Sequence, residues 1–146
     1  MSDYYPYPTR DPIKNYFPLP NEIFLLGLTS GELAVYSYLM RCEDRRTHQC
    51  HPSYKTIGNA VNLSPNTVAK HVNGLREKHL ILTESTEITT RQGEKRNGTL
   101  LYTIRPIEEA LHHFYKRQME EVEDALARQK IQRKLAELDR RQRRIR

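Results

Sequence analysis

Apolar residues recur at helical spacing in four stretches of this chain and alternate in a fifth. Leu33, Val35, Tyr36, Leu39 and Met40 give a broad apolar face that stops at the polar run 43–46. Thr29 and Glu32 stand in capping-box register, and Leu28 with Leu33 fits the hydrophobic staple, so a helix is predicted from about residue 30 to Cys42. The preceding segment 20–27 is predicted as a short helical turn packed beneath it. A second helix begins after Pro52 with Ser53 as its cap and Ile57, Ala60 and Val61 as its buried side. It ends near Val61, where Asn62 suits a left-handed turn. A third spans 64–78: Ser64 caps it, Pro65 fills the first turn, and Val68, Val72 and Leu75 line one face. The pattern then changes to strands at 80–88 and 99–104, where Leu100, Tyr102 and Ile104 share a face. Asn97-Gly98 is a turn signal, which predicts an antiparallel hairpin with a wing at about 89–98.

From Pro106 onward the pattern is helical to the end, about 60 Å if continuous. Ile107, Ala110, Leu111 and Phe114 or Tyr115 can pack on the preceding domain. Met119, Val122 and Leu126 form one further run, and Ile131, Leu135, Leu138 and Ile145 another, out of phase with the first. A homodimer through this helix is one expectation, including antiparallel pairing of acidic with basic blocks. At the other end, residues 1–18 interleave four tyrosines with four prolines and read as an extended arm. The chain thus divides into an arm (1–18), a domain (19–106) and a long charged helix (107–146). The fold class is mainly α with a small β-hairpin.

Net charge of +6 in 146 residues favours an anionic partner. Its distribution is uneven. Residues 1–106 carry +3, residues 107–127 carry −4 and residues 128–146 carry +7. No stretch has the roughly 20 apolar residues of a membrane span, and the start lacks a signal-peptide pattern, so a cytoplasmic protein is expected. Cys42 and Cys50 make no disulfide framework. With His48 and His51 they lack paired zinc-ligand spacing, so no metal is expected. No phosphate loop, zinc-protease motif or nucleophile elbow is present, which points away from an enzyme; no cofactor or small-molecule ligand is expected.

Two short helices joined by a three- to four-residue turn, followed by a hairpin with Arg91, Lys95 and Arg96 at its tip, form a winged helix-turn-helix. Residues 16–23, 33–39, 51–57 and 63–68 of this chain resemble the winged-helix domains of mobile elements in Gram-positive bacteria. That group includes the N-terminal domains of phage replisome organisers and plasmid replication initiators. The resemblance covers about residues 16–105. Its usual pattern has Gly ahead of the first wing strand, where this chain has His79.

The resemblance implies sequence-specific binding of double-stranded DNA, by a transcription regulator or a replication initiator of a mobile element. Asn66, Thr67, Lys70 and His71 would face the major groove, with Ser64 and Pro65 at the entering end. Ser53, Tyr54 and Lys55 would meet backbone phosphates, and Arg91, Lys95 and Arg96 would add the wing's contacts. The alternative is a protein–protein adaptor that docks or dimerises through the winged domain and the long helix.

Overall fold

The computed structural model describes residues 14–145, so most of the expected arm, residues 1–13, lies outside the described residues. A 3-10 turn, Asn21–Leu25, precedes helix α1 (Ser30–Cys42). The expected capping box forms at α1: the Glu32 N–H donates to Thr29 Oγ1 (3.2 Å) and the Thr29 N–H to Glu32 Oε1 (3.3 Å). Helix α2 (Tyr54–Val61) is capped by Ser53, which accepts from the Thr56 N–H at 3.1 Å, and Asn62 ends it at φ 56°, ψ 45°. Helix α3 (Pro65–Glu77) is capped by Ser64, which accepts from the Thr67 N–H at 3.2 Å. Val35, Tyr36, Leu39, Ile57, Val68, Val72 and Leu75 close the three-helix core.

One expected core position is wrong. Ala60 is exposed, and Gly58 is buried in its place. At 100° per residue the stripe through Ile57 and Val61 continues through Gly58, while Ala60 lies on its outer flank. Here the turn into α3 folds back so closely that a Cβ on residue 58 would collide with the carbonyl oxygen of Leu63.

Strands β1 (Gln49–Cys50), β2 (Ile81–Glu84) and, last in the chain, β5 (Leu101–Ile104) form an antiparallel sheet in the order β1-β5-β2. Ile81 pairs with Ile104 and Thr83 with Tyr102, which sends Tyr102 and Ile104 into the core. Between them β3 (Glu87–Thr89) and β4 (Lys95–Asn97) extend the hairpin as a separate two-stranded ribbon. Asn97-Gly98 is not the turn. Asn97 is paired with Glu87, and the Gly98 N–H donates to the Thr86 carbonyl at the ribbon's base (2.7 Å). The chain reverses at 90–94 instead, where Gly93 takes φ 81° and its N–H donates to the Thr90 carbonyl (2.9 Å). The hairpin is therefore as expected, but it turns nearer the middle of the wing than the Asn-Gly signal implies.

His79 adopts φ 61° where the wing strand departs, and its ring stacks on His113 at 3.9 Å between centroids. That stacking helps to hold a backbone conformation that glycine would adopt freely. The neighbouring Lys78 spans to the start of α1, donating to both oxygens of the buried Glu32 (2.9 Å each) and to the Gly27 carbonyl (3.2 Å). Burial alone would raise the Glu32 pKa, but hydrogen bonds from Lys78 and Thr29 outweigh it and hold the carboxyl below its usual 4.5. The stability this contributes is present above the ordinary carboxylate range and is lost as pH falls through the lowered folded-state value. Lys78→Met leaves the buried carboxylate without its cation, and urea denaturation at pH 7 is expected to show a loss of about 1–2 kcal/mol. The deficit shrinks in acid, where the wild type loses the same interaction.

Helix α4 runs unbroken over Ile107–Ile145, 39 residues or about 58 Å. Ala110 is buried, and Ile107, Leu111 and Phe114 pack against the core cluster, so its first two turns complete the domain. Beyond them every described residue from Tyr115 onward is exposed. Among the described residues no helix is long and apolar enough to cross a membrane.

Candidate nucleic-acid interface

The same helical period that buries Val68, Val72 and Leu75 turns Asn66, Lys70 and Asn73 outward, and all three are exposed. Asn66, Lys70, His71 and Asn73 line one shallow concavity with Thr29 at the start of α1 and Glu77 at the end of α3. Lys70 takes part in no ion pair among the described residues, so its ammonium is available to an external acceptor. Pro65 is exposed at the first turn of α3 and has no N–H to leave unpaired.

Two expected members of this face also make contacts within the domain. His71 is half-buried, its imidazole resting over Gly31 in the first turn of α1 where a Cβ would displace it. Thr67 is half-buried and shares a 2.8 Å hydroxyl contact with Ser64, so both side chains serve the cap of α3. Nothing local marks His71 as a packing residue, because its neighbour lies 40 positions earlier.

Ser53, Tyr54 and the wing are brought together. A cleft between the start of α2 and the base of the ribbon is lined by Ser53, Tyr54, Ile88, Asn97 and Thr99. The Ser53 hydroxyl is taken up by its cap and a 2.8 Å contact with Thr56, while Lys55 is exposed. Arg91, Lys95 and Arg96 are exposed around the ribbon's turn. Among the described residues only Arg96 of the three is in an ion pair, with Glu94 at 3.8 Å. Sequence reasoning passes over Arg76, an exposed cation in the last turn of α3 that donates to Thr83 on β2 (3.4 Å) and so ties α3 to the strand that leads into the wing. Its position directly after Leu75, the last residue of the apolar stripe, is the signal that could have found it.

This arrangement can present amide and ammonium donors on a rigid helix face, with further cations on a projecting ribbon. Among the described residues no group of three or more His, Cys, Asp or Glu side chains gathers as a metal site.

No curated protein matches the chain. Among solved structures it is similar to a possible transcriptional regulator from Methanosarcina mazei Go1 (19% identity, TM-score 0.41, covering 68% of this chain and 80% of that one). It is also similar to BpsR of Bordetella bronchiseptica, whose DNA binding is regulated by 6-hydroxynicotinic acid (18% identity, TM-score 0.37, covering 68% of this chain and 60% of that one). The model of a family described as a helix-turn-helix domain matches residues 26–81, which run from the end of the 3-10 turn through α3 into β2. The matched segment holds α2, the turn after it and α3, arranged as a helix-turn-helix, and the long C-terminal helix lies outside it.

Proposed function

We propose that this protein binds double-stranded DNA sequence-specifically, with α3 in the major groove and the β3–β4 ribbon against the backbone or minor groove. The observation that carries this reading is the two-sided character of α3. One side is core and the other is an uncovered row of Asn66, Lys70 and Asn73, inside a helix-turn-helix domain. Asn66 pairs bidentately with adenine, and Lys70 reaches guanine or a phosphate. Lys55, with Ser53 and Tyr54 beside it, meets a phosphate at the start of α2, and Arg91, Lys95 and Arg96 neutralise others from the wing. The protein acts as a transcription regulator or replication initiator of a mobile element, as the resemblance of residues 16–105 suggests. A homodimer held by α4 belongs to this reading, since the exposed apolar positions of that helix have no partner among the described residues.

Selection of bound duplexes from a random pool, followed by titration of the selected site at several salt concentrations, tests the reading. A consensus sequence should emerge. Replacing Arg91, Lys95 and Arg96 together with alanine should flatten the plot of log K against log salt by about 0.9 for each phosphate no longer neutralised, leaving the consensus intact. An unselective pool, or a slope indifferent to the wing, would count against it.

A further inference from the structure

Helix α4 carries two exposed apolar stripes, and the first is built to pair with a copy of itself. Tyr115, Met119, Val122 and Leu126 are each more than half exposed, at 51%, 61%, 54% and 54%. At 100° per residue they fall within an arc of about 60°. Tyr115, Met119, Val122 and Ala125 line a shallow groove, with Gln118 and Glu121 along its edge. The packed Phe114 and the buried Ala110 lie about 110° and 150° from its centre, and Leu111, the domain's contact nearest the stripe, lies one turn before Tyr115, so the chain's own domain leaves the stripe open from there on.

The spacing of the four residues is 4-3-4, which reads the same in either direction. Reversing one helix against another places Tyr115 over Leu126 of the second copy and Met119 over its Val122. Continuing the same register outward places Glu108 opposite Arg133, and on the flank Lys116 opposite Glu123. Glu108, Lys116, Glu123 and Arg133 are all exposed. Each charge pair occurs twice by symmetry. A parallel pair would instead set Glu108 against Glu108 and Arg133 against Arg133, so the charges select one direction.

We infer that α4 forms an antiparallel, two-fold symmetric seam with a second copy of this chain, centred between residues 120 and 121. The interface is isologous and closes as a dimer. Glu120, Glu121 and Asp124 stay outside the seam on its solvent side, which is how an acidic block can self-associate. The second stripe, Ile131, Leu135 and Leu138, lies roughly 150° around the helix and takes no part. Each Arg-rich end overshoots the start of the partner's α4 by about 16 Å.

The inference rests on the homodimer reading above and is tested without DNA, so its outcome is independent of nucleic-acid recognition. Sedimentation equilibrium on the full chain should show a monomer–dimer equilibrium. Val122→Arg should weaken it by roughly tenfold or more, while Leu135→Arg leaves it unchanged. Glu108→Arg and Arg133→Glu should each weaken the dimer by roughly three- to tenfold, and the double variant should recover it. Circular dichroism confirms helix content in each, and all four sites are on the surface. A chain that stays monomeric at high concentration overturns the homodimer itself. A dimer indifferent to Val122→Arg, or charge reversals without mutual rescue, overturns the antiparallel seam while leaving a dimer of another kind.

Discussion

Gly58→Ala is expected to lower folding stability by about 2–3 kcal/mol, although alanine is the better helix former. The reason is the turn between α2 and α3. The Gly58 carbonyl accepts the Leu63 N–H at 3.0 Å and the Asn62 N–H as well, which pulls the chain tightly back over residue 58. A methyl group there meets the Leu63 carbonyl oxygen, a backbone atom that cannot rotate aside. Relief requires the turn to lift away from α2, which disturbs the seating of Val68 beside Ile57 in the core. Thermal unfolding should fall by about 10 °C. The exposed Asn59→Ala, one position on, is the control, and helix propensity predicts no loss there. A Gly58→Ala protein as stable as the control would mean that the turn does not fold over residue 58 as closely as described.

The second large effect is on recognition. Asn66→Ala combined with Lys70→Ala should reduce affinity for the selected duplex about 100- to 1,000-fold at fixed salt, since each good base contact is worth about 1–3 kcal/mol. The two substitutions differ in kind. Without Asn66 one base preference relaxes and the salt slope is unchanged, whereas a phosphate that Lys70 no longer neutralises flattens the slope. His71→Ala should behave differently again. Its ring covers Gly31, so its removal lowers stability slightly and leaves base preference alone. Competition titrations against single-base variants of the site separate these outcomes. Equal losses on every duplex from Asn66→Ala would place that side chain on the backbone rather than on a base.

What can be read from the sequence is what short-range rules govern. Ser53 and Ser64 cap as expected, Thr29 and Glu32 make their reciprocal box, and Asn62 turns left-handed, because each depends on residues within four positions. The outward row of Asn66, Lys70 and Asn73 is equally legible, since burying Val68 and Val72 leaves no other orientation. Distant partners add what the sequence does not show. Glu32 is half of a capping box by sequence, yet its second role depends on Lys78, 46 residues away. His71 lines the concavity beside Asn66 and Lys70, but its ring also rests on α1, a contact that only the fold reveals. The wing misleads for another reason: Asn97-Gly98 suits a tight turn, but Gly93 gives a hairpin whose strands match in register, and strand pairing overrides the local preference. The continuity of α4 is visible in the unbroken helical pattern after Pro106, and Arg143–Asp139 forms an ion pair along it at 4.0 Å.

The most direct test is to map the duplex onto the protein itself. With the chain labelled for amide NMR and titrated with its selected site, shifts should concentrate at residues 64–73 of α3 and at 91–96 of the wing. A smaller set should appear at 53–55, with residues 115–126 of α4 unmoved. Shifts confined to the arginine-rich end of α4, with the outer face of α3 silent, would contradict the account.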